Sequence, residues 1–298
     1  MALGSTGTHE VWVEASEPAL RCNPANGITG IHKYHRVPLV GKRIYLLLLV
    51  SHNLWGNVLS YSSSKSVEDY LKAIYKFEEI FGIAKTGDIA RELEVTAATV
   101  SKTLKRLEAG KFIERLPYEG VKLSPKGRAI AITIIKKHRL AEYFLHYYLK
   151  FDLVKAHIYA HMLEHMPEEF FNRLWIFMNK PCRCPHGNII PGLPEYREEE
   201  LQEIINDSPL LKIKEGVPIK ITRILCSFHF DLTDKLTKAG MVVGNTIIIE
   251  KISTNSMVIR NPSNNTALEI PLYQANFIRG IALSDRKHSE WCTTPMRS

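Results

Sequence analysis

Nine consecutive residues, His157-Ile-Tyr-Ala-His161-Met-Leu-Glu164-His165, hold three imidazoles and a carboxylate. The segment lies in a long stretch with helical apolar periodicity. At 3.6 residues per turn, His157, His161 and His165 stack on one face with Glu164 beside His165. Nitrogen and oxygen donors so arranged suit a divalent cation such as Mn, Fe, Co or Zn. The alternative is a helix that merely displays surface histidines. A second pattern overlaps the first. His161-x-x-Glu164-His165 also has the H-x-x-E-H spacing of one metallopeptidase class, where two histidines hold zinc and the glutamate activates water. The surrounding elements must decide between them.

At 298 residues the chain is long enough for two or three domains. Its hydrophobic content of 45% and charged content of 23% are those of a soluble globular protein. A net charge of +8 admits a polyanionic partner. Five cysteines, an odd and mostly scattered set, give no disulfide framework and fit a reducing cytoplasm. The longest apolar run, residues 44–50, is too short to span a bilayer, and no secretion signal opens the chain, so a membrane partner is not expected. Residues 1–64 carry no sustained pattern beyond a strand near 43–50. After Met1 the next methionine is Met162, and the regular pattern starts at Ser66-Val67. The expectation is an ordered chain beginning near Val67, preceded by an accessory or disordered extension or by residues outside the native protein.

From residue 65 to about 138 the spacing predicts a DNA-reading module. Val67, Tyr70, Leu71, Ile74, Phe77 and Phe81 make a first amphipathic helix, with Ser66 and Asp69 spaced as a capping box and Gly82 as its end. A short helix follows at Thr86–Leu93, then one over Ala97–Glu108 capped by Thr96 and stopped by Gly110. Val100, Leu104 and Leu107 form the buried side. Thr96, Ala98, Thr99, Ser101, Lys102, Lys105 and Arg106 remain for phosphates and base edges of double-stranded DNA. Two strands around Pro117-Tyr-Glu-Gly120 form the wing of a winged helix-turn-helix, and Ser124-Pro125 opens the next helix. Residues 65–140 contain 16 Lys or Arg against 10 Asp or Glu, most of the chain's surplus. That concentration favours nucleic acid over a merely solvated face.

Residues 139–207 read as a helical module. His138 and Glu142, four apart, share a face of its long leading helix. Tyr143, Phe144, Tyr147, Tyr148, Phe170, Phe171, Trp175 and Phe177 are more aromatic surface than two or three helices bury alone, which points to a homodimer. Cys182-Arg-Cys184-Pro-His186 has too few ligands for a structural zinc site and reads as an ordered loop, with metal binding the lesser alternative. Residues 216–283 give five short strands and one helix, with His229 and Asp231 near the helix start, and suggest a small closed barrel. The fold class expected is therefore mainly α with a small β-barrel. Residues 284–298 read as a disordered tail.

The order of parts, and the segments S-V-E-D-Y-L-K-A-I-Y, K-K-H-R-L-A-E, L-E-H and C-P-H-G-N-I-I-P-G, resemble the diphtheria-toxin-repressor family of metal-dependent transcriptional regulators over residues 66–283. The resemblance implies a cytoplasmic, dimeric, non-enzymatic regulator, most simply a repressor, that senses Mn(II) or Fe(II), with Zn(II) or Co(II) also accepted. It implies a regulatory site of Asp69, His161, Glu164 and His165 and a second site of His138, Glu142 and His157. It likens the C-terminal module to the ferrous-iron transport accessory domain. Asp69 stands where manganese-sensing members have Asp and iron-sensing members Met. His161 matches neither type, and Lys72 stands where the manganese type has a second carboxylate. At most Asp231 is retained of the barrel's ligand pair. The rival readings are a zinc metallopeptidase and a winged-helix regulator indifferent to metal. Metal uptake is expected to weaken at low pH, since protonated histidines do not ligate.

Overall fold

The computed structural model describes residues 65–193, 196–225 and 230–283. The expectations for residues 1–64, for His229 and for residues 284–298 lie outside them. Helix α1 (Lys65–Phe81) buries Tyr70, Leu71, Ile74 and Phe77 on one side. It ends where Gly82, at φ 75°, donates its N–H to the Glu78 carbonyl at 2.9 Å. Ser66 lies inside α1 and not at its cap, so the capping box is not formed and Asp69 is left for other work.

Helices α2 (Thr86–Glu92) and α3 (Ala97–Ala109) form the helix-turn-helix. Thr96 Oγ1 accepts the Thr99 N–H at 3.2 Å and starts α3. Val100, Leu104 and Leu107 are its buried stripe. At its end Gly110 stays right-handed, and Lys111 at φ 58° makes the turn instead. Strands β1 (Ile113–Leu116) and β2 (Gly120–Leu123) are the wing, and Val121 also bridges Ala84. Gly120, at φ 148°, is required there: a Cβ would stand 2.4 Å from the Ala84 carbonyl oxygen.

Ser124 caps α4 (Pro125–Tyr143) by accepting the Gly127 N–H at 3.1 Å, with Pro125 in the first turn. A π-helical turn (Phe144–Tyr148) leads to α5 (Leu153–Leu163), capped by Asp152, then α6 (Glu168–Phe177) and α7 (Glu198–Asn206). The C-terminal part is one antiparallel sheet of β3 (Ser208–Pro209), β4 (Pro218–Ile224), β5 (Thr246–Ile252), β6 (Ser256–Asn261), β7 (Thr266–Pro271) and β8 (Ile278–Ala282). Between them lie α8 (Phe230–Lys238) and α9 (Leu272–Ala275).

The expected closed barrel is corrected to an open sheet, ordered β3-β8-β4-β5-β6-β7. The edge strands β3 and β7 do not pair with each other. β3 is two residues long and ends in a proline, which cannot donate to a ladder, and β7 ends at Pro271 where α9 begins. The sheet docks on the DNA-reading module. Phe81 stacks on Tyr273 at 5.8 Å and meets Phe277 edge-on at 6.0 Å, and the Tyr273 hydroxyl donates to Asp88 on α2.

Candidate metal centre and DNA face

Three helices bring the ligand residues together. Helix α1 brings Glu68, Asp69 and Lys72; α4 brings His138 and Glu142; α5 brings His157 and His161. Glu164 is the C-cap of α5 and His165 lies beyond it. His157 and His161 stack as the periodicity predicts, with ring centroids 4.8 Å apart. His165 does not extend that stack, because the helix has ended. It turns to α1, where its Nδ1 meets Glu68 Oε2 at 2.8 Å and its Nε2 lies 3.9 Å from Asp69.

Three groups of ligand atoms result, each within 4.8 Å: Asp69, Glu164 and His165; His138, His157 and His161; and Glu142, Cys184 and His186. They adjoin one another. His138 bonds Glu164 through Nδ1 at 2.7 Å and Glu142 through Nε2 at 3.0 Å, and His157 Nδ1 meets the same Glu142 oxygen at 2.5 Å. The structure thus brings His138, Glu142 and His157, the residues expected as a second site, into contact. The expected regulatory set is assembled less fully, because His161 turns its Nε2 to His157 at 3.2 Å while its Nδ1 faces the Lys72 ammonium at 2.8 Å.

Glu68, which directly precedes Asp69, carries no signal in the sequence that sets it apart from other helix-surface carboxylates. Cys184 and His186, weighed above as the lesser alternative of a metal loop, have too few ligands in their own loop, and the nearby Glu142 comes from α4, 42 residues earlier. The loop is ordered as expected, with the Cys184 N–H bonded to the Asn188 carbonyl at 2.9 Å. Its Gly187, at φ 79°, lets the loop touch the sheet: a Cβ there would sit 2.1 Å from the Thr222 carbonyl oxygen. Asp231 stands exposed on α8 beside Lys235 and joins none of the groups.

Burial sets the protonation. It drives the His157 imidazole well below its usual range against the pull of Glu142, and takes His161 down to about 3. Both rings are therefore neutral, the form that ligates. Burial alone would raise Glu142 and Glu164. Contacts with His186, His138 and His157 hold Glu142 well below a normal carboxylate, and the hydrogen bond to His138 together with the Lys72 ammonium holds Glu164 there. Buried anionic carboxylates beside the neutral His157 and His161 rings fit a divalent cation by the chemistry of the donor set.

On α3, Thr96, Ala98, Thr99, Lys102, Lys105 and Arg106 are exposed and Ser101 is half-buried, so the predicted face is free of the core. Tyr118 stands fully exposed at the tip of the wing.

Residues 63–121 match the iron-dependent repressor N-terminal DNA-binding domain, and residues 124–192 match the iron-dependent repressor metal-binding and dimerisation domain. The diphtheria toxin repressor of Corynebacterium glutamicum is 32% identical over 206 residues, 67% of this chain and 90% of its own length. The chain belongs to the iron-dependent repressor family. IdeR of Mycobacterium tuberculosis is 31% identical over the same lengths of both chains. Among solved structures, the metal-dependent regulator MtsR superposes with a TM-score of 0.62 at 29% identity, covering 73% of this chain and 98% of its own. The IdeR of T. acidophilum gives 0.60 at 27%, covering 72% and 97%.

Membership makes this family member a metal-dependent DNA-binding transcriptional regulator that dimerises, not an enzyme. It overturns both rival readings, and the site agrees. Glu164 is 0% exposed and tied to Lys72 and His138, so it has no face from which to activate a peptidase's water. No helix among the described residues is long and apolar enough to cross a membrane.

Proposed function

We propose that this chain represses metal-homeostasis genes in the cytoplasm when Mn(II) or Fe(II) occupies a centre built from Asp69, Glu164 and His165, with His161 completing the donor set. The observation that carries the reading is the joint between modules. Glu68 and Asp69 ride on α1 of the DNA-reading module, whereas Glu164 and His165 end α5 of the dimer module, and His165 meets both sides. Bound there, the ion supplies an electrostatic link between the two. The chain's own groups do the rest: Glu68 orients His165, His138 holds Glu164, and burial keeps the His157 and His161 imidazoles unprotonated. Fixing α1 against the dimer module fixes α3 relative to its copy, so metal favours the spacing two half-sites demand.

His138 and His157, with Glu142, form an accessory centre, and Cys184 and His186 share Glu142 as a third. The Cys184 sulfur in this last group makes it the softer site and the better fit for Zn(II) or Co(II). Solved relatives include a manganese regulator, SloR, at 26% identity, and ScaR with bound Zn2+ at 25%. The modules divide as 65–138, 139–207 and 216–283, with α4 continuous across the first boundary.

Fluorescence anisotropy of labelled DNA from upstream of the protein's own gene tests the proposal. Chelator-stripped protein is titrated at fixed salt, then again with Mn(II), anaerobic Fe(II) and Zn(II). Metal should tighten binding at least tenfold, about 1.4 kcal/mol of coupling, and His165→Ala should abolish the gain. Equal affinity with and without metal would remove the reading.

A further inference from the structure

Inside the ligand cluster stands a cation that belongs to the chain. The Lys72 ammonium donates to Glu164 Oε1, lies 2.8 Å from His161 Nδ1 and is 3.9 Å from Asp69 Oδ1. Lys72 is 3% exposed, on the same side of α1 as Asp69, one turn on. A lysine is buried only when well paired. Every one of these partners is a residue assigned above to the regulatory metal.

We propose that Lys72 is a tethered cation that competes with the divalent ion for Asp69, Glu164 and His161, and so sets the metal concentration at which the regulator responds. The proposal rests on the metal-site reading above. Two arguments carry it. The first is the atoms. His161 Nε2 faces His157, so Nδ1 is the atom it has for the regulatory centre, and that atom and Glu164 Oε1 are the two that Lys72 engages. A metal taking both must evict the ammonium. The second is charge. The Lys72 ammonium, bonded to Glu164 and 3.9 Å from Asp69, would stand within a few ångströms of a divalent ion held by the same two carboxylates, like charge against like.

There is room to leave. A groove of about 310 Å³ opens beside the cluster, bordered by Asp69, Lys72, Glu92, Glu94, His161 and His165. The flexible four-carbon stem of lysine can swing into it, and the exposed carboxylate of Glu94 on its wall can receive the charge.

A lysine that only neutralises buried Glu164 gives a different signature. Its removal would destabilise the protein and leave metal affinity unchanged or weaker. Competition predicts effects of opposite sign, so Lys72→Met is titrated with Mn(II) against a fluorescent chelator while thermal melts follow the metal-stripped protein. The expected result is a lower melting temperature together with Mn(II) binding at least tenfold tighter than in the unsubstituted protein. Lys72→Arg, which keeps the charge, should bind Mn(II) close to the unsubstituted level. Tightening absent from Lys72→Met, in a protein whose unsubstituted form binds Mn(II), overturns the proposal and leaves the site reading intact. Failure of the unsubstituted protein to bind Mn(II) removes both.

A second measurement needs no variant. Lys72 should be protected from an amine-acetylating reagent without metal and modified once Mn(II) is added, read by mass spectrometry of its peptide. Protection that persists at full Mn(II) occupancy overturns the proposal even if Lys72→Met does not fold.

Discussion

Glu142 carries more than one duty. The same carboxylate oxygen meets His138, His157 and, at 3.4 Å, His186 Nδ1. Glu142→Gln keeps the shape and removes the charge that a metal needs. Metal analysis of the dialysed variant should find both the His138–His157 and the Cys184–His186 centres depleted, while the Asp69–Glu164–His165 centre keeps its ion. Leaving buried imidazoles short of their acceptor should also lower stability by about 1–3 kcal/mol in denaturant melts. Retention of the metal at the Cys184 group would disprove the sharing. The histidines also fix a pH dependence. His157 and His161 have native values depressed below those of the unfolded chain, so the unfolded state binds more protons once pH falls below about 6.5. Stability is therefore fully present above that pH and declines as pH falls through it towards about 3. Glu142 and Glu164, also depressed, add to the loss below about 4.5. Thermal melts of metal-stripped protein from pH 8 to 4 should trace this decline, with a shallower slope in His161→Asn. What the sequence carried at this scale was residue type and helical spacing. It did not carry which way His161 turns, because Lys72, which faces its Nδ1, lies on another helix.

Elements were legible where their signals were local. Thr96, Ser124-Pro125 and Gly82 each stop or start a helix by contacts within a few residues, and each acts as its type predicts. Sheet closure failed because it depends on whether two edges far apart in sequence meet; Pro209 and Pro271 mark strand ends without saying whether those edges pair. The Cys184 loop falls between these cases, its order being local and its metal partner remote. The joint at Gly187 gives a prediction of its own. Gly187→Ala places a methyl against the Thr222 carbonyl at a positive φ, which should lower stability by about 2–4 kcal/mol and loosen the Cys184–His186 centre. Chemical denaturation and Zn(II) titration measure the two effects. Gly82→Ala, with no atom within 4 Å of its new Cβ, carries the strain of positive φ alone and is the control. On α3, Lys102 is exposed among the Thr and Arg side chains. Lys102→Ala should weaken operator and non-operator DNA alike and reduce the salt slope by about one. A loss confined to the operator would mean that Lys102 reads a base.

For the whole molecule the exposed apolar surface decides the assembly. Of the aromatic group that suggested a dimer, Phe171 is core and Tyr143, Phe144 and Trp175 pack against it, so those four stabilise the protomer. Tyr147, Tyr148, Phe170 and Phe177 remain exposed, as do Met162 and Ile176, all on the dimerisation module, and Tyr148 packs on Phe177 at 5.3 Å. A patch of this kind is buried in a stable protein by a second copy. Phe177→Glu puts a charge at 65% exposure into that patch without touching the core. It should leave the fold and the metal count unchanged and yield monomers in sedimentation velocity at concentrations where the unsubstituted protein is dimeric. A lone helix-turn-helix then reads one half-site, so affinity for the operator should fall at least tenfold while metal still binds. The metal's effect on DNA should fall with it, because an ion that fixes α1 against the dimer module gains its leverage from the second reader. If the monomeric variant kept the full metal-dependent gain, the ion would be acting within one protomer on α3 itself, and the coupling would run through the buried Lys76–Glu92 pair that ties α1 to α2.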